Sequence, residues 1–179
     1  PSRSLLGERQ ELWLQGELRA SRARWNLLGQ QYLMEQLMTR LGMVGNDGWD
    51  GYAASRRRVL ETWRDAKVSN PVVLGGDIHC FFAGDLALEA GGPPVATEFV
   101  GGSISSLGAS AKDMKLLLAG NRQLKFGEGE TRGYGRVELT RKACAVTFRG
   151  VANALVEGSP VTDLAKFAAE DGRAGVQRA

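Results

Sequence analysis

Apolar and polar positions change their spacing several times along the chain, and each change predicts an element. From Glu8 to Ala20, Leu14 and Leu18 sit four apart and Trp13 widens the same face, which predicts an amphipathic helix. Arg24 to Gln31 predicts a short strand with Trp25, Leu27 and Leu28 as its apolar content. Gln31 to Arg40 returns to helical spacing, with Leu33 and Leu37 in one row and Met34 and Met38 in the next. A Gly-, Asn- and Asp-rich loop follows from Gly42 to Gly51. Ala53 to Asp65 predicts a third helix with Val59, Leu60 and Trp63 facing inward. After Asn70-Pro71 breaks the chain, Val72-Val73-Leu74 is a continuous apolar run, as in a central strand buried on both faces.

The second half shifts towards a period of two. Strands are expected over Ala83 to Glu89 and Ala96 to Val100, around the turn Gly91-Gly92-Pro93-Pro94, followed by a Gly/Ser loop from Gly101 to Ser110. Met114 to Leu118 predicts a short helix. Val137 and Leu139, then Cys144, Val146 and Phe148, alternate on either side of Arg141-Lys142, which predicts a hairpin. Ser159-Pro160 reads as the N-cap and first turn of a terminal helix carrying Leu164 and Phe167, stopped at Gly172. Helices alternating with strands favour an α/β layered fold. The expected organisation is one unit over 1–150 and a helical tail over 151–179.

Composition narrows the chemistry. In 179 residues, 43% are apolar and 24% charged, ordinary for a globular chain and unlike a disordered one. No apolar run approaches the ~18 residues of a membrane helix. No basic-then-apolar signal peptide opens the chain. It starts Pro1-Ser2-Arg3 without an initiator Met, which suggests a processed or truncated product. One histidine, His79, and two cysteines, Cys80 and Cys144, are too few for a four-ligand zinc finger. Any Ser-His-Asp or Cys-His machinery would have to use His79. The cysteines could pair or stay free, and Cys80 could be a ligand, with burial as small hydrophobes the favoured role. The net charge of +3 is small, and the densest basic run, Arg56-Arg57-Arg58, spreads around a helix as a solvated surface, so no sequence-specific nucleic-acid face is expected.

Four segments could carry chemistry. In Val72-Val73-Leu74-Gly75-Gly76-Asp77-Ile78-His79, a strand runs into two glycines, an acid and an imidazole. Ligands of open α/β sheets bind outside the carboxyl ends of strands. On extended backbone, Asp77 and His79 would share one side. A hard carboxylate with a neutral imidazole suits iron, manganese or zinc, or a phosphate oxygen. Equally, Gly-Gly-Asp is ordinary turn chemistry, with His79 a structural residue. In Asp47-Gly48-Trp49-Asp50-Gly51-Tyr52, Asp50 caps the next helix or serves as an acid beside a site walled by Trp49 and Tyr52. The loop Gly101-Gly102-Ser103-Ile104-Ser105-Ser106 is a plain connection or an anion cradle, and it lacks the lysine and spacing of a P-loop. Arg132, before Gly133-Tyr134, binds phosphate bidentately or is a surface arginine.

Taken in order, these motifs form a series. Leu6-Gly7, Gln10 and Trp13-Leu14 come first, then Ser21 to Gln31, Asp47 to Tyr52, Gly76-Asp77-Ile78-His79, Thr97-Glu98-Phe99-Val100, Ser103, Ser106 and Arg132-Gly133-Tyr134. The series, from about Arg3 to about Phe148, resembles the carboxy-terminal half of PhoD-type alkaline phosphatases and phosphodiesterases, which are calcineurin-like metallophosphoesterases. The resemblance implies part of a four-layer α/β/β/α sandwich that hydrolyses phosphate esters with metal-activated water. It implies iron with calcium as the metal set, Asp77 and His79 as metal ligands, and Asp50 and Arg132 as further site residues. It also implies a periplasmic or extracellular location, often reached by a twin-arginine signal that this chain does not carry. The family's remaining acidic motifs belong to its amino-terminal half and do not precede Pro1. The chain is therefore expected to be an incomplete catalytic domain, inactive alone, whose partner is the missing half or a second chain. The alternative is a non-catalytic pseudo-enzyme or partner-binding subunit. The natural ester is left open.

Overall fold

The computed structural model of the chain describes residues 3–38 and 47–179. Helix α1 (Glu8–Ala20) leads into strand β1 (Asn26–Gly29), and a 3-10 turn over Gly48–Tyr52 precedes helix α2 (Ala53–Asp65). Then come β2 (Pro71–Gly75), β3 (Phe81–Ala87), β4 (Pro94–Val100), helix α3 (Ala111–Gly120) and β5 (Leu124–Glu128). Strands β6 (Arg132–Leu139), β7 (Ala143–Val151), β8 (Val161–Glu170) and β9 (Arg173–Arg178) complete the chain.

The first five strands make a mixed sheet in the order β1-β2-β4-β3-β5, with β1, β2 and β4 parallel and β3 antiparallel to both its neighbours. The last four make an antiparallel meander, β6-β7-β8-β9. The apolar runs in the inner strands reflect burial on both faces. Val73, Leu86 and Ala96 pack under α1 and α2, and Phe82 and Val100 under α3. Val72, Phe81, Ala83 and Phe99 pack against Cys144, Val146, Phe148 and Phe167 of the second sheet. Phe148 anchors this inter-sheet core, with ring centroids 5.2 Å from Phe81, 5.7 Å from Phe126 and 6.1 Å from Phe167. The chain thus builds three layers, helices, sheet and sheet. Among the described residues no helix covers the outer face of the second sheet, where Arg136 pairs with Glu138, and Arg149 and Lys166 with Asp163.

Four expectations fail here. The helix expected over Gln31 to Arg40 does not form across 31–38; residues 39 and 40, like most of the loop expected over Gly42 to Gly51, lie outside the described residues. Side chains take the backbone partners a helix would need. The Met34 and Glu35 amides donate to the Glu98 carboxylate at 2.6 and 2.9 Å, Leu37 to Asp50 Oδ2 at 3.2 Å, and Met38 to Asn121 Oδ1 at 2.9 Å. The Met34, Gln36 and Met38 carbonyls accept from Arg56, Gln123 and Asn121. With its polar groups satisfied by tertiary partners, the segment runs as a strap across α2 and the sheet. The terminal helix is likewise absent. Val161 to Glu170 is β8, because pairing with β7 along its length buries Phe167 and Ala169 on one face. The helical character of the tail is therefore corrected to two added strands. Finally, the basic run is not a solvated surface. Its residues do point three ways: Arg57 outward to Glu61 and Glu89, Arg58 to Glu11, and Arg56 inward, 4% exposed, to Glu35 at 2.9 Å. Trp13 is 60% exposed and does not join the inner face of α1. No helix among the described residues is long and apolar enough to cross a membrane.

Candidate functional site

Strand direction decides where the candidate residues meet. The carboxyl ends of β1, β2 and β4 lie at one end of the sheet. Because β3 is antiparallel to both β4 and β5, its start and the end of β5 lie there too, with Phe81 opposite Glu128. Loops 76–80, 101–110 and 129–131 therefore converge at this end. Backbone contacts stitch them together. The Gly101 amide donates to the Gly75 carbonyl at 2.9 Å, and the Gly133 amide to the Ser103 carbonyl at 2.8 Å.

Asp77 and His79 sit in the first of these loops, and both are exposed. The expected extended geometry does not hold. The strand ends at Gly75, and Asp77 and His79 take φ of 68° and 59°. Left-handed backbone in two non-glycine residues is costly and persists where the surroundings over-determine it. The loop is a strained turn at the sheet end rather than a continuation of β2. Neither side chain has a hydrogen bond or ion pair among the described residues, so one carboxylate and one imidazole stand unengaged. That donor chemistry fits a share of a cation or a phosphate oxygen. Among the described residues no group of three or more His, Cys, Asp or Glu side chains is arranged to hold a metal ion.

Arg132 opens β6 beside the same loops. It is half-buried, and its Nη1 donates to the Glu130 carbonyl at 2.5 Å. Ser103 is buried, while Ile104 and Leu107 on the same loop are exposed. The chain thus brings Asp77, His79 and Arg132 to one end of the sandwich.

Asp50 belongs to a different cluster. It does not cap α2, whose cap position is Tyr52 and receives no side-chain bond. Its Oδ2 accepts from Leu37, and its Oδ1 is buried without a partner. Trp49 is buried and donates to Gln30 at 3.0 Å. Around Asp50 stand Glu35, Glu98 and Arg56, three carboxylates to one guanidinium. Burial pushes Glu98 up to about 8, against the pull of the two amides it accepts. Burial pushes Glu35 up to about 7, against the Arg56 charge and with repulsion from Asp50 adding to the rise. Asp50 is raised by burial as well. Glu35 Oε2 also lacks a partner. The sequence carried one signal of this cluster, a lone acid inside the apolar strand Val95-Ala96-Thr97-Glu98-Phe99-Val100.

Both cysteines are buried, as their sequence context suggested, and both are free, which spacing alone left open. Burial raises both thiols, Cys144 to about 11. Such thiols are inert packing groups at neutral pH.

A layered α/β half-sandwich with an acid and a histidine at the parallel strand ends is the arrangement expected from the motif series. The model of the PhoD-like phosphatase family matches residues 1–148, and the chain belongs to that family. It is 31% identical over 187 aligned residues to alkaline phosphatase D of Bacillus subtilis (strain 168), which covers 99% of this chain and 32% of that protein. The solved structure of PhoD superposes with a TM-score of 0.89 at 31% identity, covering 99% of this chain and 36% of that one. The chain therefore spans about a third of the length of these relatives. Both likenesses cover 99% of the chain and so extend into the four-stranded sheet.

Proposed function

We propose that this chain supplies part of the active site of a metal-dependent phosphoester hydrolase. The observation that carries the reading is the pair Asp77 and His79, unengaged and exposed on a strained loop at the parallel strand ends, in a member of the PhoD-like phosphatase family. Asp77 and His79 would hold the metal, iron with calcium by the family resemblance. When bound, such a centre lowers the pKa of water to about 7 and so supplies hydroxide at neutral pH. Arg132 then serves as a bidentate donor to the phosphoryl oxygens, whose charge grows in the transition state. Asp50 acts indirectly, through the strap it anchors at Leu37.

Two donors are too few for a metal that activates water. The remaining ligands then come from polypeptide outside these 179 residues, of the same protein or of a second chain. Two open edges support this. The Asn26 and Gln30 amides donate towards β2, which leaves Leu27 and Gly29 facing the free edge of β1. On β6, the other sheet's edge, Val137 and Leu139 are exposed although they lie in register with buried Val146 and Cys144. Strand edges and apolar positions of this kind rarely stay bare. Secretion to the periplasm or cell surface belongs to the same reading.

The test compares the chain alone with a graft in which it replaces the matching third of the Bacillus subtilis protein. Metal content and hydrolysis of a chromogenic phosphate mono- and diester are measured in each. The reading expects tightly held metal and turnover in the graft, and in the chain alone no turnover and only the weak, exchangeable metal binding that two donors give. A correctly folded graft that retains metal but hydrolyses neither ester, beside an active parent, contradicts it and favours a partner-binding role.

A further inference from the structure

The loop that carries His79 packs directly against the main chain of two neighbouring loops. Gly108 lies against the His79 carbonyl on one side and the Gly129 carbonyl on the other, so close that a Cβ at position 108 would collide with both. The same Cβ would stand 3.2 Å from Cys80 Sγ. Gly129 faces the converse constraint, since a Cβ there would meet Ala109 O at 2.5 Å, Ala109 N at 2.8 Å and Cys80 Sγ at 2.9 Å. The Ala109 amide donates to Cys80 Sγ at 3.3 Å and ties the 108–109 segment to the residue after His79. Three residues beyond Gly129, Arg132 begins β6.

We propose that Gly108, wedged by its missing side chain between His79 and Gly129, is a positioning residue that fixes the His79 imidazole relative to Arg132. This rests on the reading of His79 and Arg132 as metal- and phosphate-facing groups. Backbone lies on both sides of the wedge, so no rotamer change can absorb an added methyl. A Cβ at 108 must push the 76–80 loop and the 129–132 segment apart. The left-handed conformation of His79 is the kind of strained state that such close packing maintains. The wedge therefore spaces the two groups without touching substrate.

The single histidine makes the test direct, because one imidazole signal in a 1H–13C spectrum reports on His79 alone. Gly108→Ala is compared with wild type and with Gly135→Ala, whose Cβ meets Phe148 at an ordinary 3.6 Å. In Gly108→Ala the metal-free signal is expected to move. The apparent affinity for Zn2+, followed through that signal, is expected to fall about 10- to 100-fold, as when groups orienting a ligand are lost. Gly135→Ala should leave both unchanged. An unmoved signal with wild-type Zn2+ affinity in Gly108→Ala overturns the proposal. A wild-type signal that ignores Zn2+ contradicts the metal reading instead, and the metal-free signal still decides on the wedge. Should Gly108→Ala fail to fold by far-UV circular dichroism, Cys80→Ala decides. Faster exchange of the Ala109 amide with a shifted His79 signal supports the wedge; no change in either overturns it.

Discussion

Raising the pH should loosen this protein through Glu35 in the 30–38 strap and Glu98, the carboxylate that binds it. Glu98 and Glu35 hold protons in the folded state up to about 8 and about 7, against 4.5 for each when unfolded. Their folded pKa values are raised, so the folded state binds more protons than the unfolded state between about 4.5 and 8. The stability this gives is complete below about pH 4.5 and is lost as pH rises through 7 and 8. For Glu98, the rise from 4.5 to about 8 corresponds to about 5 kcal/mol at about 1.4 kcal/mol per pH unit. The two groups share Arg56 and repel each other, so their losses do not add. Glu98→Gln removes one of the two titrations. It also sets an amide nitrogen against one of the Met34 and Glu35 donors, at a cost of about 1–3 kcal/mol. Urea unfolding from about pH 5 to 8 should therefore show wild type the more stable at the acid end, with the two curves converging or crossing towards pH 8. Amide exchange over 30–38 should quicken over the same range. Parallel pH curves for wild type and Glu98→Gln would refute the placement of a proton in this cluster.

Other predictions separate neighbours that look alike in sequence. Arg56→Leu should cost about 1–3 kcal/mol for each buried group left without its donor, the Met34 carbonyl and the Glu35 carboxyl, whereas Arg57→Leu, whose partners are exposed, should cost at most about 1 kcal/mol; thermal unfolding checks both. Phe148→Ala empties the aromatic contact between the sheets and should cost about 3–5 kcal/mol in urea titration. In the active graft, His79→Ala should lower kcat by at least about 100-fold with little change in KM, and near-normal turnover would remove His79 from the mechanism.

Much of the fold was legible where periodicity and burial agree. Helices α1 and α2 fall on Glu8–Ala20 and Ala53–Asp65 as the apolar spacing predicts, and the 134–148 alternation is the β6-β7 hairpin. The strap over 31–38 was not legible, because its helical spacing is overruled by partners scattered from Asp50 to Gln123. Nor was the tail, where Ser159-Pro160 is a good cap locally but β7 offers a ten-residue strand its ladder. At the site, the order of motifs pointed to Asp77, His79 and Arg132 together. The left-handed turn at Asp77 and His79 was hidden, since glycine is the residue that ordinarily takes positive φ, yet it falls on these two residues and not on Gly75-Gly76. Gly108 and Gly129 carried no signal, because their role arises only when three loops meet.

Anomalous diffraction from crystals of the metal-loaded graft decides whether Asp77 and His79 hold the metal. The prediction is a metal peak about 2.0–2.6 Å from both a His79 ring nitrogen and an Asp77 carboxylate oxygen. A fully loaded metal centre bonded to neither side chain would contradict it.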